Sequence, residues 1–238
     1  MNSVRICGVR IDNVTKEEAV RAALEERSGA CVVTTPNAVM LDACRRDPAL
    51  IELLNRSSLS LADGAGVLLA AKRQKTPLCQ RVAGIEFGEA LLTVAAKEGL
   101  RVYLLGGKEG VAKTAAERLR ERYDGLCIAG TQNGYFQKTG AEDQLVISKI
   151  QAARPDILFV CFGFPLQEQW IAEHVEALSV LRVIAALGGS LDVWAGNVTR
   201  SPKLVSRMGL EWAWRMIREP RRLGKLPAVI RFGLFGGR

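Results

Sequence analysis

The sequence predicts an α/β fold: a Rossmann-like, mostly parallel sheet flanked by helices, with a C-terminal helical appendage. Three observations carry this reading. Short β-branched or apolar runs alternate with amphipathic helical stretches, the pattern of repeated βαβ units. Several of the apolar runs end in glycine-containing turns directly before a helix, as Leu59–Ala62 does at Asp63-Gly64. From Asn197 onward the strand pattern stops, and basic and aromatic residues dominate. The expected division is an α/β domain over 1–196 and a basic, aromatic helical appendage over 197–238.

The elements follow in order. Val4–Ile11 reads as a strand or half of a hairpin, and the capping box Thr15-x-x-Glu18 opens a helix to about Arg27. Ala30–Thr34 is a strand, and Pro36-Asn37 starts a helix to about Cys44. Asp47-Pro48 starts another, because proline suits the first helical turn. After the strand Leu59–Ala62 come a helix from about Val67 and a long one over Gly84–Glu98. Arg101–Leu105 is a strand running into Gly106-Gly107-Lys108-Glu109-Gly110 and a helix to about Tyr123. Leu126–Gly130 is a strand, and Thr139-x-x-Glu142 is a second capping box, for a helix to about Ala153. Asp156–Phe162 is the most apolar strand, Pro165–Ala177 a helix, and Leu181–Leu187 the last strand.

Composition excludes several function classes. The longest apolar run, Ile157–Phe164, falls far short of the roughly 20 residues that cross a bilayer. Nothing after Met1–Arg5 reads as a signal-peptide core, so the expectation is a cytoplasmic protein. The six cysteines have no metal-type spacing and read as thiols of a reducing compartment. His174 is the only histidine, which argues against a His-based triad or metal site, and its neighbours Glu173 and Glu176 suggest a solvated helix face. No DxD motif is present, so the expectation is no metal and no cofactor. The net charge of +8 is confined to one region: residues 200–238 carry ten Lys/Arg against two Glu, and residues 1–199 balance at 23 of each sign. Such a local excess points to an anionic partner. The charge-neutral body and only three tyrosines argue against nucleic acid, and the missing GxGxxG fingerprint argues against a dinucleotide oxidoreductase.

Ligands of an open parallel sheet bind outside the carboxyl ends of its strands. Those ends here carry Thr34-Thr35-Pro36-Asn37, Asp63-Gly64-Ala65-Gly66, Gly106-Gly107, Gly163-Phe164-Pro165-Leu166-Gln167-Glu168 and Gly188-Gly189-Ser190-Leu191-Asp192. Glycines there allow a phosphate to approach backbone N–H groups, or simply make a turn. Asp63 has the chemistry of a general base for a hydroxyl and equally that of a helix N-cap. Arg81 suits a phosphate or an acceptor head group, or is an ordinary solvated arginine. Thr35, Asn37 and Gln167 offer neutral hydrogen-bonding groups for sugar hydroxyls, or are caps and loop residues.

In order along the chain, Thr34-Thr35-Pro36-Asn37, Asp63-Gly64-x-Gly66, Arg81-x-x-Gly84, Gly134-Tyr135-Phe136, Gly163-x-Pro165-x-Gln167-Glu168, Asp192-x-x-Ala195-Gly196 and Arg200-x-Pro202 appear. Gly209-Leu210-Glu211-Trp212 and Arg218-Glu219-Pro220-Arg221-Arg222 follow. Over essentially the whole chain this resembles the WecG/TagA/CpsF family, glycosyltransferase family 26. The resemblance implies an inverting, metal-independent enzyme. It would move N-acetylmannosamine, its uronic acid or another hexose from a UDP-sugar to a polyprenyl-diphosphate-linked acceptor, in teichoic acid, common-antigen or capsule synthesis. It further implies Asp63 as base with Thr35, Asn37, Arg81 and Gln167 lining the pocket, to which the strand-end reading adds Gly106, Gly107 and Asp192 as substrate-binding. Arg215, Arg218, Arg221 and Arg222 would lie near the diphosphate or on an anionic membrane surface. Their setting suits either place: Met208, Trp212 and Arg215 recur at helical spacing, as do Leu210, Trp214 and Ile217, and Leu223, Leu226, Ile230 and Leu234 form a second amphipathic piece. The expected location is peripheral, on the inner face of the cell membrane, and a homo-oligomer is compatible with the sequence.

Overall fold

The computed structural model describes residues 2–199, 202, 213–214, 224 and 226–236. The first eight-residue run is a hairpin: β1 (Ser3–Ile6) pairs antiparallel with β2 (Val9–Asp12). Cys7 and Gly8 between them both take positive φ, 51° and 80°, which matches the twist of a two-residue hairpin turn. The chain then runs through α1 (Lys16–Leu24), β3 (Cys31–Thr34), α2 (Ala38–Cys44), α3 (Pro48–Asn55), β4 (Leu59–Ser60), α4 (Ala65–Arg73) and α5 (Gly84–Glu98). β5 (Arg101–Gly106), α6 (Val111–Arg122), β6 (Cys127–Gln132), α7 (Gly140–Ala153), β7 (Ile157–Cys161), α8 (Leu166–His174), β8 (Val183–Ala186) and α9 (Ser190–Trp194) follow. The last described helix is α10 (Leu226–Phe235).

β3 to β8 form one six-stranded, all-parallel sheet in the order β4-β3-β8-β7-β5-β6. Alternate residues of the central strands feed two cores, as the two-residue period of a strand requires. Val102, Leu104, Ile157, Phe159, Val183 and Ala185 pack under α1, α5, α6 and α9. Leu105, Leu158, Val160, Ile184 and Ala186 pack under α7 and α8. A third core joins the β1–β2 hairpin to α2 and α4, and Phe232 of α10 is buried in it. α10 therefore lies on the body: Arg231 pairs with the buried Asp42 at 2.7 Å, and Arg73 donates to the Gly233 carbonyl. Ile230 and Leu234 on the other face of α10 are 53% and 63% exposed.

Two local readings need correction. Thr139 does not cap α7 with its side chain; the Glu142 carboxylate instead accepts from Gln137 N at 2.8 Å. His174 is not on a solvated face. Its Nε2 lies 2.9 Å from Oδ2 of the buried Asp143, its ring packs on Trp170, and Trp170 Nε1 donates to the other Asp143 oxygen.

Candidate active site

Three loops converge at the carboxyl ends of β3 and β4. Asp63 N donates to the Pro36 carbonyl at 3.0 Å, and Val82 N donates to the Ala62 carbonyl at 2.9 Å. These two bonds bring the segment after β3, the segment after β4 and the loop carrying Arg81 to one place. Thr35 closes the group: it is buried, its Oγ1 donates to the Ala186 carbonyl of β8 at 3.4 Å, and it packs against Gly84, where a Cβ would stand 3.0 Å from Oγ1. Asp63 is half-buried. The N-cap of α4 is Gly64, one residue after Asp63. Asn37 Oδ1 accepts from Val39 N and Met40 N at 3.0 and 3.3 Å and so caps α2. Arg81 is no solvated arginine either: its Nη2 donates to Glu86 Oε1 at 2.8 Å, with most of the side chain covered.

The next strand ends are tied by one side chain. Gln167 is 3% exposed, and its Oε1 accepts from Gly163 N at 3.1 Å and from Gly188 N at 3.0 Å. Because both neighbours are donors, that atom has to be the amide oxygen; the Nε2 then donates to Glu168 Oε1 at 2.9 Å. Gln167 is thus a brace between the ends of β7 and β8. Glu168, whose role the sequence did not suggest, is buried with its second oxygen unbonded, and burial pushes its carboxyl above the ordinary range. A consequence is that the Gly163 and Gly188 N–H groups, which look available to a phosphate in the sequence, are already bonded within the protein.

The crevice between β5 and β7 is a topological switch point. The chain leaves β5 toward β6 on one side and leaves β7 toward β8 on the other. Gly106 and Gly107 line it with φ of 140° and 70°; a Cβ at 106 would stand 2.7 Å from the Cys161 carbonyl carbon. Gly107 carries a further contact, its carbonyl accepting from Gly134 N at 2.8 Å. Gly134-Tyr135-Phe136 therefore leans over the same crevice, with the Tyr135 ring 75% exposed. Asp192, in the first turn of α9, is half-buried and close enough to Cys161 to reinforce the effect of burial in raising that thiol to about 12. Arg215, Arg218, Arg221 and Arg222 lie outside the described residues. Among the described residues no three His, Cys, Asp or Glu side chains are grouped to hold a metal ion, and no helix is long and apolar enough to cross a membrane.

An edge with a carboxylate and an arginine at one end and a glycine-lined crevice at the other suits a long, phosphorylated sugar substrate. The profile of the glycosyl transferase WecG/TagA/CpsF family matches residues 4–234. The chain belongs to that family. It is therefore a glycosyltransferase. Two relatives, both named N-acetylglucosaminyldiphosphoundecaprenol N-acetyl-beta-D-mannosaminyltransferase, come from Staphylococcus aureus strains MRSA252 and MW2. Each is 33% identical over 230 residues, covering 95% of this chain and 89% of the relative. The family match of this WecG/TagA/CpsF protein runs past the sheet and into α10.

Proposed function

We propose that the protein transfers N-acetylmannosamine from its UDP-linked form to a GlcNAc-diphosphoundecaprenol acceptor, inverting the anomeric centre. The transferred sugar and the acceptor follow the named activity of the Staphylococcus aureus relatives. The observation that carries the mechanism is the convergence of Asp63, Thr35 and the Arg81 loop at the ends of β3 and β4. The Asp63 carboxylate takes the proton of an acceptor hydroxyl as its oxygen forms a bond to the anomeric carbon. The bond from that carbon to the β-phosphate oxygen breaks in the same step, its electron pair leaving with UDP. One displacement on the face opposite the leaving group inverts the centre.

The nucleotide lies at the β5–β7 crevice against Gly106, Gly107 and the Gly134–Phe136 loop, with Asp192 as an acceptor for its hydroxyls. The diphosphate reaches across β7 and β8 toward the sugar site. Guanidinium groups, Arg81 in the body and Arg215, Arg218, Arg221 and Arg222 in the tail, neutralise the departing diphosphate in place of a metal. The basic tail and the exposed Ile230 and Leu234 of α10 meet an anionic membrane, where the lipid acceptor resides.

UDP release with a lipid-diphosphate GlcNAc substrate tests this reading. Asp63→Asn is expected to lower kcat by about 10²–10⁴ while leaving UDP affinity unchanged, and EDTA is expected to change neither. A variant that turns over like the wild type removes Asp63 from the chemistry.

A further inference from the structure

The Gly134-Tyr135-Phe136 loop is held by a lysine that the proposed chemistry does not use. Lys138 Nζ donates to the Gly134 carbonyl at 2.6 Å and to the Phe136 carbonyl at 2.9 Å. The same ammonium lies 3.5 Å from the centroid of the Phe136 ring and 4.5 Å from that of Phe162. The two rings meet edge to face at 5.9 Å, and Phe162 is itself edge-on to the buried Trp170 at 5.8 Å. An ammonium has three N–H donors; two are taken by carbonyls, and the charge sits against two aromatic faces, each a favourable cation–π partner. Burial lowers its pKa, with Asp143 and Glu142 acting in the opposite sense. Two of its three donors are therefore used within the protein, on a half-buried side chain.

What it fixes is the approach of the β6 loop to the crevice. Gly134 is packed so closely that a Cβ there would stand 3.0 Å from the Phe162 ring and 3.2 Å from Gly106 Cα. Beyond it, Tyr135 N donates to Asn133 Oδ1 at 2.9 Å, so the loop turns sharply and carries the Tyr135 ring outward. Resting on the nucleotide placement given above, we propose that Lys138 is a positioning residue for the donor. It staples the Gly134–Phe136 loop across the ends of β5 and β7, so that the glycine-lined crevice and Tyr135 are set before the nucleotide arrives. The residue acts on donor binding and not on the transfer step.

UDP titration by calorimetry and initial-rate kinetics on the full chain test this. Lys138→Met keeps an unbranched side chain one atom shorter and removes both the charge and the donors. It is expected to raise the UDP Kd and the donor KM about tenfold, with kcat within twofold and acceptor KM unchanged. Lys138→Arg, which keeps a cation over the rings, is expected to stay within about threefold of the wild type. If Tyr135→Ala weakens UDP binding and Lys138→Met does not, the nucleotide placement stands and the role of Lys138 falls. If wild-type protein binds UDP and neither variant weakens it, the nucleotide lies elsewhere and both ideas fall. Should Lys138→Met not fold, Phe136→Leu removes one ring from the sandwich and is expected to cost about threefold in UDP affinity; unchanged affinity overturns the proposal.

Discussion

Gln167→Leu separates two roles that the sequence leaves open for this residue. In the structure its amide oxygen accepts from Gly163 N and Gly188 N, and its Nε2 donates to Glu168. Leucine fills a similar volume and supplies none of these bonds. A buried donor left without a partner costs about 1–3 kcal/mol. The two glycines are only half-buried, so water can reach them in part and the lower end applies, about 1 kcal/mol each. Losing the hydrogen bond to the buried Glu168 adds a comparable amount, for a total of about 2–3 kcal/mol. For a chain of this size that lowers Tm by roughly 5–10 °C. Thermal unfolding followed by tryptophan fluorescence measures the shift, and donor KM is measured on the same sample. An unchanged Tm with a much higher donor KM would refute the brace and return Gln167 to direct contact with the substrate.

Cysteine reactivity should follow burial. Cys44 and Cys161 are pushed up to about 12 by desolvation, whereas Cys79 is exposed. At pH 8, alkylation read by mass spectrometry is expected at Cys79 first, and at Cys44 and Cys161 only after unfolding; rapid labelling of Cys161 would mean that the β7 end opens in the native protein. Glu168 bears on pH. Its folded-state pKa is raised by burial, so the native state holds a proton that the unfolded chain releases, and stability falls as pH rises from the ordinary glutamate pKa through the raised one. Glu168→Gln is expected to flatten that part of the Tm–pH curve while keeping an acceptor for Gln167; an unaltered slope would show that the carboxyl ionises normally.

Elements announced by local chemistry were legible. Helices start where Pro36-Asn37 and Asp47-Pro48 place them, with Asn37 and Asp47 as the caps of α2 and α3, and α5 spans the expected Gly84–Glu98, closed by a left-handed Gly99. The hairpin turn escaped firm assignment because Cys7 is not a residue that advertises positive φ. His174 was misread because its partner Asp143 sits on a different helix. The same limit applies at the site. The strand-end motifs lie together along the carboxyl edge of the sheet, but the loops of Asp63 and Arg81 are joined only through the backbone bonds to Pro36 and Ala62. That the Gly163 and Gly188 N–H groups are taken by Gln167, or that Lys138 is sandwiched by Phe136 and Phe162, depends on contacts between separate loops. A spacing rule cannot register these.

Those occupied N–H groups bear on the tail. A phosphate-binding edge usually supplies oriented backbone donors, but two glycine donors on this edge already have partners, and Arg81 is partly neutralised by Glu86. Residues 1–199 carry no net charge, and residues 200–238 carry +8. Under the proposed mechanism the charge that develops on the leaving diphosphate must therefore be met largely by the tail. Truncation after Asn197 is a poor test, because it also removes Phe232 from the core it shares with α2 and α4. Replacing Arg215, Arg218, Arg221 and Arg222 singly by glutamine keeps that anchor. At least one is expected to lower kcat by about tenfold or more, on the scale of a lost charge-stabilising contact in a transition state, with Tm unchanged. If all four variants release UDP at the wild-type rate on detergent-solubilised acceptor and lose activity only on vesicles, these arginines serve the membrane, and the diphosphate is stabilised by the body alone.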